Sequence, residues 1–138
     1  MVAPLLALLA CGPGLSSRVV DNSDTDAPDT TGPVITHTPI SSAVFFGEDV
    51  NIEATITDDE SRILLVTLWY KQETQGSNDF SQRAMLGDAD GVYRAVIPAS
   101  AQGSSGMDYA IEAVNASNLR TFAPSEGKSD PYHFRLTQ

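Results

Sequence analysis

The chain has 138 residues, 41% of them hydrophobic, and a net charge of −10. This length is sufficient for one domain with a hydrophobic core. The acidity argues against nucleic-acid binding, which needs clustered Lys and Arg to replace counterions at phosphates. No apolar run reaches the roughly 18 residues of a transmembrane helix.

The N-terminal apolar run ends at Cys11, the only cysteine of the chain. A lone thiol forms no intramolecular disulfide, and no clustered ligands accompany it to make a metal site. Residues 8–11 (LLAC) resemble the lipobox of bacterial lipoprotein signal peptides. In that family the cysteine thiol receives a diacylglyceryl group, and the chain is cleaved just before the cysteine. The resemblance implies a signal peptide at residues 1–10, lipidation of Cys11 and a membrane partner reached through that lipid.

A secretory signal carries a basic region ahead of an apolar stretch of about 7–15 residues. No Lys or Arg precedes this short apolar run. We therefore expect either a true start upstream of Met1 or, as the alternative, an apolar N-terminus on a soluble protein. The segment that follows Cys11 favours export.

Residues 11–33 are predicted to form a disordered acidic tether beginning at the lipidated cysteine. Ser, Thr, Asp and Pro dominate this segment, and its apolar content is too low to offset the entropy of ordering. Four Asp and one Arg give it a net charge of −3, and repulsion together with proline extends it to about 25 Å or more. A polar tether after a lipobox is similar to that of surface lipoproteins, which implies a cell-envelope location, with the outer membrane as the expectation.

The hydrophobic pattern of residues 34–138 has a period of two, which predicts strands with one buried face. The clearest alternation lies at 50–56, 93–97, 109–113 and 132–136. In the third of these, Tyr109 and Ile111 are expected to face the core and Glu112 to face water. Residues 63–71 are apolar on both registers at first, as in a central strand. Shorter candidates lie at 34–38, 43–46, 80–86 and 119–122.

Turn-forming residues separate these runs at short intervals. They lie at 47–49, 58–61, 87–91, 103–106 and 115–118. No segment shows a sustained helical stripe. The pattern predicts an all-β chain, an immunoglobulin-like antiparallel sandwich of about seven strands at residues 34–138.

Several segments resemble fibronectin type III and related immunoglobulin-like modules of secreted bacterial proteins. Residues 109–116 (YAIEAVNA) look like the penultimate strand of such modules, with residues 66–70 (VTLWY) in the middle and 131–134 (PYHF) at the exit. The resemblance covers residues 33–137. It implies a spacer, an adhesive unit or an accessory domain, since fold alone does not select among these functions.

Catalytic motifs of hydrolases, metalloproteases and phosphate-binding loops are missing from the sequence. The two histidines are His37, at the end of the first predicted strand, and His133, on the solvent register of the last. We interpret both as surface or edge residues. They would share a metal only if the two end strands were neighbours. We expect no enzyme activity and no cofactor.

Two acidic segments have features of calcium sites. Asp88 and Asp90 resemble part of an EF-hand loop, but Leu86 and Ile97 occupy positions at which that loop needs oxygen ligands. A hairpin turn is the better prediction. Residues 58–60 are interpreted as a solvated loop, with weak calcium binding as the alternative.

Trp69 is the candidate ligand-binding residue. The even positions from 64 to 70 are apolar, whereas Trp69 shares its register with Thr67 and Lys71. This places the indole on the outer face of its sheet, where a flat ring with one N–H suits a sugar or a partner protein. The alternative is a Trp packed under the 72–79 segment.

Together these features predict a lipid-anchored cell-envelope protein that displays a non-catalytic interaction or structural domain. Its expected partner is an envelope protein or polysaccharide. The first alternative is a carbohydrate-binding or enzyme-accessory module. The second is a small envelope hydrolase that uses one histidine.

The anchor is tested by Cys11→Ala. Each acyl methylene in a bilayer contributes about 0.8 kcal/mol, so three acyl chains bind a protein to the membrane durably, whereas one binds it only marginally. With upstream codons restored, the variant is expected to lose metabolic lipid labelling and lipoprotein processing. Lipid labelling and detergent-phase partitioning equal to the parent would contradict the lipobox assignment.

Overall fold

The computed structural model describes residues 28–138, so Cys11 and the signal and tether residues before 28 lie outside the described part. The described chain is nearly all-β, with ten strands and two short 3₁₀ turns, Ala99–Ala101 and Gly127–Ser129. The strands are β1 Val34–Thr36, β2 Val44–Phe45, β3 Val50–Thr57, β4 Ile63–Gln72, β5 Ser81–Ala84, β6 Leu86–Gly87, β7 Val92–Ile97, β8 Gly106–Asn115, β9 Arg120–Ala123 and β10 Tyr132–Thr137. No helix within residues 28–138 has the length and apolarity needed to cross a membrane.

The strands form two sheets packed face to face. The first has the order β1-β3-β7-β6, and the second has the order β2-β10-β8-β4-β5. All pairs are antiparallel except β2 with β10, which is parallel. The last two strands share one edge of β8: β10 pairs with its first half and β9 with its second half. The chain between them, residues 124–131, leaves the edge beside Ala110.

The core lies between the sheets and follows the predicted alternation. In β3 every second side chain is buried, and Ile52 is 1% exposed. Opposite it, β4 and β8 contribute Leu68, Tyr109 and Ile111, all fully buried. The expected inward register of Tyr109 and Ile111 is therefore confirmed.

The count of about seven strands was too low. The predicted strand at 80–86 is two strands in different sheets, because the chain crosses from one sheet to the other at Met85. The Met85 side chain is 4% exposed in the core, and its N–H donates to the carbonyl oxygen of Val66 at 2.8 Å. Very short β2 and β6 also pair at the sheet edges.

The expectation that Glu112 faces water was wrong. Its side chain points to the outer side of β8, but it is only 7% exposed. Ala110 and Val114 on the same face are also buried. The reason is tertiary. The second 3₁₀ turn contacts β8, and the side chain of Arg120 on the neighbouring β9 pairs with Glu112.

Residues 28–33, assigned above to the tether, contact the sandwich. Asp29 Oδ2 accepts hydrogen bonds from Ser61 Oγ at 2.6 Å and from Asn115 Nδ2 at 2.9 Å. The hydrogen bond from Ser61 holds the pKa of Asp29 below its usual value. Pro33 is fully buried. These contacts show where the described chain joins the sheets. The boundary between tether and domain at residue 33 stays a prediction.

The sandwich register is tested by Ile111→Ala. Removing a fully buried aliphatic side chain should lower the free energy of unfolding by about 2–5 kcal/mol. The matched control is Leu86→Ala, since Leu86 is 75% exposed and should change stability by no more than about 0.5 kcal/mol. Urea denaturation measures both, and equal losses would contradict the described core.

Candidate functional site

The outer face of the second sheet carries an open groove centred on Trp69. This residue pairs with Gln82 of β5 and Ala110 of β8, and its ring is partly exposed. The groove has a volume of about 380 Å³. Its lining residues are Trp69, Ser77, Asn78, Phe80, Lys128 and Ser129. The predicted outer-face position of Trp69 is confirmed, and its role in ligand binding stays a prediction.

One wall of the groove is the connection between β4 and β5. Two consecutive turns fold this segment back over the sheet: Gln75 N–H donates to Gln72 O at 3.0 Å, and Asp79 N–H donates to Gly76 O at 3.0 Å. Side chains reinforce both, since Gln75 Oε1 accepts from Gln72 N–H and Asp79 Oδ2 accepts from Gly76 N–H, each at 2.8 Å. These turns hold the groove-lining residues 77–80 beside the indole.

The opposite wall is the second 3₁₀ turn, which lies in the excursion between β9 and β10. Gly127 has a φ of +59°, a left-handed conformation that L side chains rarely adopt. A Cβ at this position would also lie 2.9 Å from the ring of Phe122. Glycine therefore permits both the turn and its close approach to β9, and the next residue, Lys128, is placed over Trp69.

The indole is held by two charged neighbours. Its Nε1–H donates to Glu112 Oε1 at 2.9 Å, and Arg120 Nη1 donates to Glu112 Oε2 at 2.7 Å. Lys128 Nζ lies 3.8 Å from the centroid of the Trp69 ring, a cation–π contact. The N–H and the ring face that lies against Lys128 are thus engaged within the protein. The indole on the outer face is therefore partly covered by Glu112 and Lys128, which are distant from it in sequence. The 72–79 segment named in the alternative also lies beside it, since Ser77 and Asn78 line the same groove.

The two lysines near the groove differ in their partners. Lys71 Nζ forms an ion pair with Asp108 Oδ2 at 2.9 Å and also donates to the carbonyl oxygens of Gln72 and Gln75. Lys128 has no ion-pair partner among residues 28–138 and contacts aromatic rings instead. Within the described chain, Lys128 is thus the lysine at the groove that forms no ion pair.

His37 lies at the sheet edge, half-buried between the two sheets. Its Nδ1 is 2.7 Å from the carbonyl oxygen of Glu53 and must donate, because a carbonyl only accepts. Nε2 then accepts from the Tyr109 hydroxyl at 2.8 Å. Burial lowers the pKa of His37 and raises the pKa of Tyr109 to about 12. These contacts give His37 a structural role in joining the sheets.

His133 lies on the solvent register of β10, as predicted. Its Nδ1 is 2.9 Å from Asp108 Oδ1, and its side chain is 41% exposed. The strand β1, which precedes His37, belongs to the other sheet. The two histidines therefore have separate partners. Within the described chain, no group of three or more His, Cys, Asp or Glu has the arrangement of a metal site.

The acidic segments form turns. Asp88 Oδ1 accepts from the N–H groups of Asp90 and Val92, and Asp88 Oδ2 accepts from Arg94. The hairpin-turn prediction is confirmed. Asp58 behaves similarly: its Oδ1 accepts from backbone N–H groups of the following loop, and its Oδ2 accepts from Asn115 Nδ2 at 2.8 Å. In both residues Oδ1 therefore holds the backbone of the loop and Oδ2 pairs with a side chain.

Comparison with protein-family models gives no match for this chain, and comparison with curated protein sequences gives none either. The fold and site define a two-sheet β-sandwich with a mixed aromatic and polar groove on the outer face of one sheet.

The support for Trp69 is tested by Glu112→Ala. The change leaves the buried indole N–H without its acceptor and Arg120 without its partner, so we expect a loss of about 1–3 kcal/mol in unfolding free energy. Asp59→Ala removes the same charge from an exposed position and should cost no more than about 0.5 kcal/mol. A Trp69 emission spectrum unchanged in Glu112→Ala would contradict the described contact.

Proposed function

We propose that this chain is an immunoglobulin-like, non-catalytic interaction module. The sheet orders support the immunoglobulin-like assignment: β1-β3-β7-β6 resembles the four-stranded sheet of constant-type domains. The neighbours β4, β8 and β10 resemble the three strands of the opposite sheet. Such domains are joined to many functions, so the argument for interaction comes from the site and not from the fold.

The groove at Trp69 is the observation that carries the interaction function. Its lining combines two aromatic rings with hydroxyl, amide and ammonium groups in an open depression. Binding surfaces are enriched in such aromatic anchors, because a rigid ring contributes large contact area at little entropic cost. The side chains are held by hydrogen bonds and turns before any ligand arrives, which lowers the cost of ordering on binding.

We further propose that the domain is displayed on the cell envelope by a lipid on Cys11. The LLAC sequence and the polar residues after it support this anchor. A membrane-tethered module stays within reach of a partner at the surface, which raises its effective concentration there, so a moderate affinity is enough for durable contact. The expected partner is an envelope polysaccharide or protein.

A carbohydrate-binding or accessory module is the second candidate. Trp69 and Phe80 line the same groove as Ser77, Asn78 and Ser129. Aromatic rings contact the C–H faces of sugars, and hydroxyl and amide groups match sugar hydroxyls in hydrogen bonding. This chemistry favours a saccharide over a purely apolar ligand.

The interaction function is tested by cosedimentation of the full chain with the isolated envelope fraction of its source organism. Cys11→Ala serves as the background, so that lipid insertion does not contribute. Asn78→Ala, at the groove, is expected to lower the bound fraction at least several-fold. Asn51→Ala makes the same chemical change on the exposed side of β3 in the other sheet and should have no effect. Equal binding by both variants, or none by the parent, would overturn the proposal.

A further inference from the structure

We infer that the Trp69 groove binds a saccharide that carries a carboxylate, of the uronic-acid type, and that Lys128 contacts this carboxylate. The inference rests on the proposed interaction function and names its ligand class.

The charge of Lys128 is the first argument. The chain has 18 Asp and Glu against 8 Lys and Arg, yet Lys128 has no carboxylate partner among residues 28–138. Lys71 provides the contrast, since Asp108 already neutralises it beside the same Phe80 ring. A partly buried ammonium against aromatic rings has lost some hydration, so an incoming anion gains more from it than from a fully solvated lysine.

The groove walls are the second argument. Lys128 Nζ lies 3.8 Å from the Trp69 centroid and 6.0 Å from the Phe80 centroid, so charge and aromatic surface share one depression. Ser77 and Asn78 add neutral donors and acceptors on the opposite wall. A uronic acid presents this combination: one carboxylate, several hydroxyl groups and an apolar C–H face.

Strand pairing argues against an acidic peptide as the ligand. Peptides that add to a sheet use an unpaired strand edge for main-chain hydrogen bonds. At the groove, β4 is paired on both sides, by β5 and by β8. The strand that carries Trp69 therefore offers its side chain and not its backbone to a ligand, which suits a saccharide.

The net charge of the chain limits the length of the ligand. A long polyanion is repelled by the acidic surface, and screening at physiological salt acts beyond about 8 Å. Short oligosaccharides with few carboxylates place their charge at Lys128 and keep the rest of the ligand away from other acidic side chains. We therefore expect di- and trisaccharides to bind better per carboxylate than a long polymer.

The experiment titrates the full chain, in the Cys11→Ala background, with di- and trigalacturonic acid and with their methyl esters. Trp69 is the only tryptophan, so its emission reports on the groove directly. We expect the acids to bind at least ten-fold more tightly than the esters in the parent. Lys128→Gln should abolish this preference and Lys128→Arg should retain most of it. Arg135→Gln, an exposed charge-matched control on β10 outside the groove lining, should leave it intact.

The outcomes separate this inference from the proposed function. Equal affinity for acid and ester overturns the carboxylate contact but leaves a sugar-binding groove. No response to either ligand, with Asn78-dependent envelope binding preserved, overturns the saccharide class alone. Thermal unfolding checks that Lys128→Gln is folded, and the comparison of acid with ester in the parent decides the question even where that variant is unstable.

Discussion

The burial of β8 on both faces is the constraint on which the rest of the molecule depends. One face supplies Tyr109 and Ile111 to the core, and the other carries Ala110 and Glu112 beneath the chain that crosses it. Two packed sheets bury only one face of each strand, so the outer face of β8 needs a further segment of chain to cover it. The chain supplies it by dividing one edge of β8 between β9 and β10 and sending the intervening residues across the outer face. The groove and the core consequently lie on opposite faces of the second sheet.

Glu112 shows how this arrangement positions the groove. A buried carboxylate is costly unless its oxygens are paired, and here each oxygen has one donor, from Trp69 and from Arg120. The requirement works in both directions, because the indole N–H also needs an acceptor once it is covered. Satisfying both groups fixes the Trp69 ring, and the fixed ring gives Lys128 a defined aromatic surface. The groove is therefore preorganised by the polar contacts that β8 needs for its own stability.

The sequence predicted what depends on neighbouring residues and missed what depends on distant ones. Alternation in 50–56 and 109–113 was enough to identify β3, β8 and their inward registers, and the polar companions of Trp69 were enough to place it outside. Nothing in the local pattern around Glu112 or Trp69 indicates that the excursion before β10 will cover them. Lys128 therefore could not be assigned to the site. The split of the predicted strand 80–86 into β5 and β6 was missed for a similar reason. In sequence Met85 is one more apolar strand residue, and only the packing of the two sheets makes it the point at which the chain crosses between them.

The point at which the described chain enters the sandwich lies away from the groove. Asn115, at the end of β8, donates from its amide to Asp29 and to the carbonyl oxygen of Thr31, and so fixes the entering segment at that end of the sheet. At about 3.4 Å per strand residue, Ala110 beneath the groove lies about 17 Å along β8 from this entry point. The groove opens from a sheet face and not from the strand ends, and none of its lining residues belongs to the entering segment. A ligand can therefore reach Trp69 without displacing the contacts that hold Asp29 and Thr31 to Asn115.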